Sequence, residues 1–195
     1  MRTVAAVLAV AATMTAVLST ADAHGILPIL RTIQDPATRF SIRVPVTWEV
    51  ATSSKDPVVE ARSPVAAGQT PSTVDVIVRD LPAVLSPESC VHQAETVMRF
   101  LIPSFKTLNQ SPKTIGGFPA YSHSYTWRTR DGEERRSLQV CVTLGHRAFV
   151  VIGTTDNTPD RLRHDMPTLA GIIDTLHPNP FTPEPGVLDS GSRNQ

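Results

Sequence analysis

The sequence lacks net charge, with 18 Lys and Arg against 18 Asp and Glu. No overall field therefore draws the chain to nucleic acid or to anionic lipid. Cysteine is scarce: only Cys90 and Cys141 occur, and their spacing matches no zinc or dithiol redox motif, which needs clustered ligands. Lysine stands only at 55, 106 and 113, so basic character falls to arginine. With abundant Ala, Val and Pro, that composition is associated with GC-rich bacterial genomes. A Gly-x-Ser-x-Gly elbow is missing, and Ser122 and Ser124 alternate to the opposite strand face from His123, which excludes a local nucleophile–base dyad. Beyond the N-terminal region no segment approaches the roughly 20 apolar residues of a membrane span.

The N-terminal region is itself distinctive. Arg2 precedes an apolar run from Val4 to Leu18, and Ala21-Asp22-Ala23 supplies a small-x-small cleavage site. Residues 1–23 are expected to be a secretory signal peptide, cut after Ala23 or alternatively after Ala21. No cysteine follows the run, so a lipoprotein anchor is not expected. The mature chain is expected free in the secreted or periplasmic space. In that oxidising setting Cys90 and Cys141 read as one structural disulfide in preference to two buried thiols.

Residues 24–38 contain Pro28 and Pro36 without a clear period and read as a tether. Phe40, Ile42 and Val44 then alternate with Ser41 and Arg43, predicting a half-buried strand. Further strands are expected around Trp48, over Val58 to Arg62, and through Val74, Val76 and Val78. Ser86-Pro87 provides a cap and a first-turn proline, after which Val91, Ala94, Val97, Met98 and Leu101 form a helical stripe. Asp131-Gly132 reads as a two-residue turn joining 118–130 to 133–144, and Gly145-His146 joins that strand to 147–154. That register places Tyr125 opposite Leu138, His123 opposite Val140 and Val151, and Trp127 opposite Arg136. Neither sheet face is dominated by charge, so both are expected to be covered. Thr158-Pro159 starts a second helix, with a kink or restart at Pro167. The domain is expected over 39–177, with a disordered tail at 178–195.

Taken together, FSIRVPVTW at 40–48, GGFPAYSHSY at 116–125, RAFVVIGTT at 147–155 and GIIDTL at 171–176 resemble the Mog1p/PsbP-like superfamily. The resemblance implies an α/β fold, an α/β/α sandwich around an antiparallel sheet. It also implies a domain that binds or helps assemble other components instead of catalysing a reaction, and it carries over no cofactor.

Candidate chemistry is sparse. Cleavage after Ala23 would make His24 the N-terminal residue, whose amine and imidazole can chelate copper if a second histidine converges on them. The other reading of His24 is the accidental first residue of a tether. His123 lies in the row Tyr121, His123, Tyr125, Trp127, as a core histidine or as a base. Arg130, Arg135 and Arg136 gather with Trp127 at the hairpin end, where an aromatic anchor beside guanidinium donors suits a partner surface; a solvated hairpin tip is the alternative. The function expected is an exported, non-catalytic accessory domain acting on a protein or lipid-like partner. The alternative is a copper-binding protein or enzyme built on His24.

Overall fold

Alternating apolar residues build most of the strands of this protein, whose computed structural model describes residues 29–179 apart from positions 36, 38 and 103. In chain order the elements are β1 (Leu30–Asp35), β2 (Phe40–Pro45), β3 (Glu49–Thr52), β4 (Val59–Arg62), β5 (Thr73–Asp80) and α1 (Pro87–Leu101). There follow β6 (Lys106–Ile115), β7 (Phe118–Arg128), β8 (Glu134–Leu144), β9 (Arg147–Asp156), α2 (Pro159–Asp174) and β10 (His177–Pro178). Seven strands form one antiparallel sheet in the order β3-β4-β5-β9-β8-β7-β6, and β1-β2-β10 form a second.

The alternation decides which residues face which layer. Val74 and Val76 of β5, Val140 and Val142 of β8, and Phe149 and Val151 of β9 point to one face of the large sheet. There they pack against Phe40, Ile42 and Val44 of β2 and Leu169, Ile172 and Ile173 of α2. Gly153 permits the closest approach, since a Cβ there would lie 3.0 Å from the Leu169 Cβ. On the opposite face α1 packs across β7 and β8. The architecture is thus an α/β sandwich around an antiparallel sheet.

Several expectations are corrected. The hairpin loop has three residues, 130–132, because Thr129 pairs with Glu133 and Gly132 takes φ 84°. A type I turn followed by a left-handed residue adds one position to a two-residue loop. The register of β7 on β8 therefore moves by one: Tyr125 lies opposite Ser137, His123 opposite Gln139 and Tyr121 opposite Cys141. Since strand side chains alternate, that single step transfers the whole Tyr121, His123, Tyr125 row to the α1 face. The Gly145-His146 turn has two residues, and Val140 faces Val151.

Within the segment read as a tether, β1 pairs with β2 along its length. Its period is faint because it lies at the edge of the small sheet with half its side chains exposed and none buried. At the other end β10 pairs with β2, and the Asn179 amide donates to the Arg39 carbonyl, so ordered chain passes the expected boundary at 177. Strand β6 was not anticipated; it is an edge strand holding Lys106, Pro112 and Lys113, residues that blunt edges and hide a period-2 pattern. Helix α2 runs through Pro167 without a restart. The leader, His24 and the tail beyond 179 lie outside the described residues.

Candidate functional site

Ser86 starts α1 by accepting a hydrogen bond from the Ser89 amide at 3.1 Å, with Pro87 in the first turn. The expected apolar stripe forms, but among the described residues part of it lacks cover. Val91 is buried and Ala94 and Met98 are half-buried, whereas Val97 is 55% exposed, Leu101 67% and neighbouring Phe100 86%. The Cys90–Cys141 disulfide holds the helix to β8, with Cα atoms 6.6 Å apart.

Among the described residues, no element covers the sheet beside α1 either. On this face β5 presents Ile77 and β9 presents Val150 and Ile152, all half-buried. With Ala94, Val97 and Met98 as one wall, and Leu81 and Leu85 closing one end, they bound a groove of about 390 Å³. Among the described residues, one face is covered only in part, against the expectation that both are covered. A helix is about 10 Å across, while seven strands at about 4.8 Å spacing span roughly 29 Å. One helix cannot shield that width.

Charge lines one end of the groove and lies just beyond the other. Arg79 pairs with Asp56 at 2.8 Å at the Leu81 end. Toward the other end, Asp75 sits two residues from Ile77 on the same strand face, opposite Ile152 on one side and Glu60 on the other. Glu60 is bonded to Arg62 at 2.7 Å. Burial, and then the neighbouring Glu60 charge, push the Asp75 carboxyl up to about 6.

A polar network fills the space under the opposite side of α1. Glu95 accepts from Thr107 Oγ1 at 2.6 Å, from Arg99 at 2.6 Å and from Gln110 Nε2 at 2.5 Å. Burial alone would raise the Glu95 pKa, but these bonds outweigh it and hold the group down to about 2. His123 Nε2 lies 3.2 Å from Thr107 Oγ1. The Thr107 hydroxyl spends its proton on Glu95, so His123 must donate from Nε2, which leaves Nδ1 bare. That buried Nδ1 indeed has no hydrogen-bond partner among the described residues. Burial first, with the Arg99 and His92 charges adding to it, lowers the His123 pKa against the pull of Glu95. With 0% exposure and rings of Phe105 and Tyr125 within 6 Å, this histidine is neutral and out of a substrate's reach. It is a core residue.

The four hairpin residues do not form one patch. Trp127 donates from Nε1 to Ser137 Oγ at 3.0 Å and, with exposed Arg130, lines a hollow of about 420 Å³ against Leu101 and Ile102. Arg135, not Arg136, lies opposite Trp127. Arg135 is buried between Asp156 and Glu133, so its charge is already met. Arg136 alternates to the other sheet face, with a buried Nε that has no hydrogen-bond partner among the described residues. A further hollow of about 480 Å³ lies between Leu30, Pro45, Pro167 and Ile172; its rim is close to the first described residue. Among the described residues no three His, Cys, Asp or Glu side chains converge as metal ligands, and no helix is long and apolar enough to cross a membrane.

No family model and no curated protein matches the sequence. Solved structures do. Cyanobacterial PsbP (CyanoP) from Synechocystis superimposes with a TM-score of 0.60 at 16% identity, over 80% of this chain and 96% of that one. The Ran-binding protein Mog1p of Saccharomyces cerevisiae gives 0.52 at 11% identity, over 77% and 95%. The chain has a Mog1p/PsbP-like fold. Another structure with this likeness is LpqN of Mycobacterium tuberculosis, involved in cell envelope biogenesis, with a TM-score of 0.56 at 22% identity over 77% and 91%. The Mog1p/PsbP-like fold places the sheet and both helices; a shared fold by itself leaves the role open.

Proposed function

We propose that this chain is an exported, non-catalytic accessory domain that holds a partner, protein or lipid-like, through the face beside α1. The observation that carries the reading is the apolar groove between α1 and β5–β9 together with Val97, Phe100 and Leu101 exposed on the helix. Contiguous exposed apolar surface of this kind marks an interaction site. Export is supported by the leader at 1–23 and by the disulfide, which belongs to an oxidising compartment. That Mog1p is Ran-binding and LpqN is involved in envelope biogenesis adds support for a binding role. A catalytic role finds no support in His123, which solvent does not reach.

The Trp127 and Arg130 hollow adjoins the helix end through Leu101 and serves in this reading as a secondary rim of the same surface. Formaldehyde crosslinking in culture tests the reading. The double variant Val97→Ser/Phe100→Ser alters exposed positions and should lose the partner adduct, while His123→Ala keeps it whenever that variant folds. Substrate turnover that disappears with His123→Ala in a folded protein would move the chain into the enzyme class.

A further inference from the structure

We infer that the strip of sheet beside α1 receives a helix supplied by a partner protein, amphipathic and carrying a lysine or arginine that meets Asp75. The inference rests on the binding reading above and names the partner's chemistry.

Spacing gives the first argument. α1 lies across β7 and β8, so its axis runs near their boundary, and the boundary between β9 and β5 is two strands away, about 9.6 Å. Packed helices sit 8–10 Å apart. A second helix laid beside α1 at normal distance would therefore rest over β9 and β5, on Ile77, Val150 and Ile152, with Ala94 and Val97 at its side. An added strand is excluded, because β5 and β9 are interior strands paired on both sides.

Charge gives the second. Asp75 is partly desolvated beside Glu60, and Arg62, the cation that acts on it among the described residues, is engaged by Glu60. The Thr73 hydroxyl donates to it at 3.5 Å, a long bond that offsets only part of the burial. A basic side chain on the incoming helix would relieve that cost, and the apolar floor beginning at Ile77 and Ile152 meets the rest of its inner face. An anionic amphiphile would face repulsion at this end, and the groove lacks the enclosure that an acyl chain needs, being walled by a helix on one side only.

The test uses the full chain exported by cells of its own source, with a benzophenone amino acid replacing Val97. Adducts are digested and the attached peptide is mapped. The result expected is one protein segment with apolar residues at i, i+3, i+4 and i+7 and a Lys or Arg beside them. Asp75→Lys should cut the yield about tenfold or more without lowering the melting temperature below that of Asp75→Asn, and replacing the mapped basic residue with Glu should restore it. Attachment to lipid, attachment to a segment without that spacing, or a yield indifferent to Asp75→Lys would overturn the inference. Adducts at a probe on Trp127 with none at Val97 would also overturn it and leave the binding reading standing. Absence at both positions would remove the binding reading itself.

Discussion

Glu95 and Asp75 lie on the same side of the sheet and titrate in opposite directions. Glu95 ionises at about 2 in the fold against an ordinary 4.5. Its contribution to stability is therefore complete above pH 4.5 and is lost as pH falls from there to about 2. Urea unfolding across that range should show the loss in the native protein. Glu95→Ala should cost about 2 kcal/mol at pH 7, because it strands the donors on Thr107 and Gln110. Asp75 behaves in reverse. Its unfolded form loses the proton near 3.8 and its folded form near 6, so its influence is harmless below 3.8 and becomes destabilising as pH rises to 6. Asp75→Asn should stabilise the free domain by about 1 kcal/mol at pH 7 and have no such effect at pH 3.5, as measured by chemical unfolding. The sequence offered the histidine and the tyrosines of this region but not Glu95 as their partner, because Glu95 reaches Thr107 across a helix-to-strand connection whose strand has no readable period.

At the scale of the element, the two helices differ in what holds them. α2 buries Leu169, Ile172 and Ile173 against the sheet, whereas α1 fully buries Val91 alone. The disulfide from Cys90 to Cys141 therefore matters more to α1 than its apolar contacts suggest. Cys90→Ser/Cys141→Ser should lower global stability by about 2–4 kcal/mol and raise amide exchange in α1 ahead of α2. Equal exchange in the two helices of that variant would argue that packing alone retains α1. The positions of both helices were legible, since Ser86-Pro87 and Thr158-Pro159 mark their starts and 3.6-residue spacing marks their faces. The strand register was not. Asp131-Gly132 reads equally as the centre of a two-residue loop or the end of a three-residue one, and only the φ of Gly132, 84°, and the Thr129–Glu133 pairing separate them. One residue in a turn thus moved His123 and two tyrosines to the other face of the sheet.

On the scale of the whole molecule the two faces of the large sheet are unequal. α2 and β2 together close one face around Phe40, Phe149 and Leu176. Among the described residues the other has one helix, packed mainly on two of the seven strands. The layered class was legible from alternating strands and two capped helices. The open strip was not, because periodicity tells which side a residue faces and not whether a neighbouring element is wide enough to reach it. The same limit applies to the hairpin arginines: Arg135 and Arg136 are adjacent in sequence, yet one is locked to Asp156 and Glu133 and the other lies on the far face.

The central claim is that a partner occupies the space between α1 and β5–β9. Filling that space from within the chain tests it most directly. Ala94 is half-buried on the groove wall, and Ala94→Trp places an indole over Ile77 and Val150. The expected result is an unchanged or raised melting temperature with partner crosslinking in culture reduced about tenfold or more. A folded Ala94→Trp protein that crosslinks its partner as well as the native chain does would contradict it.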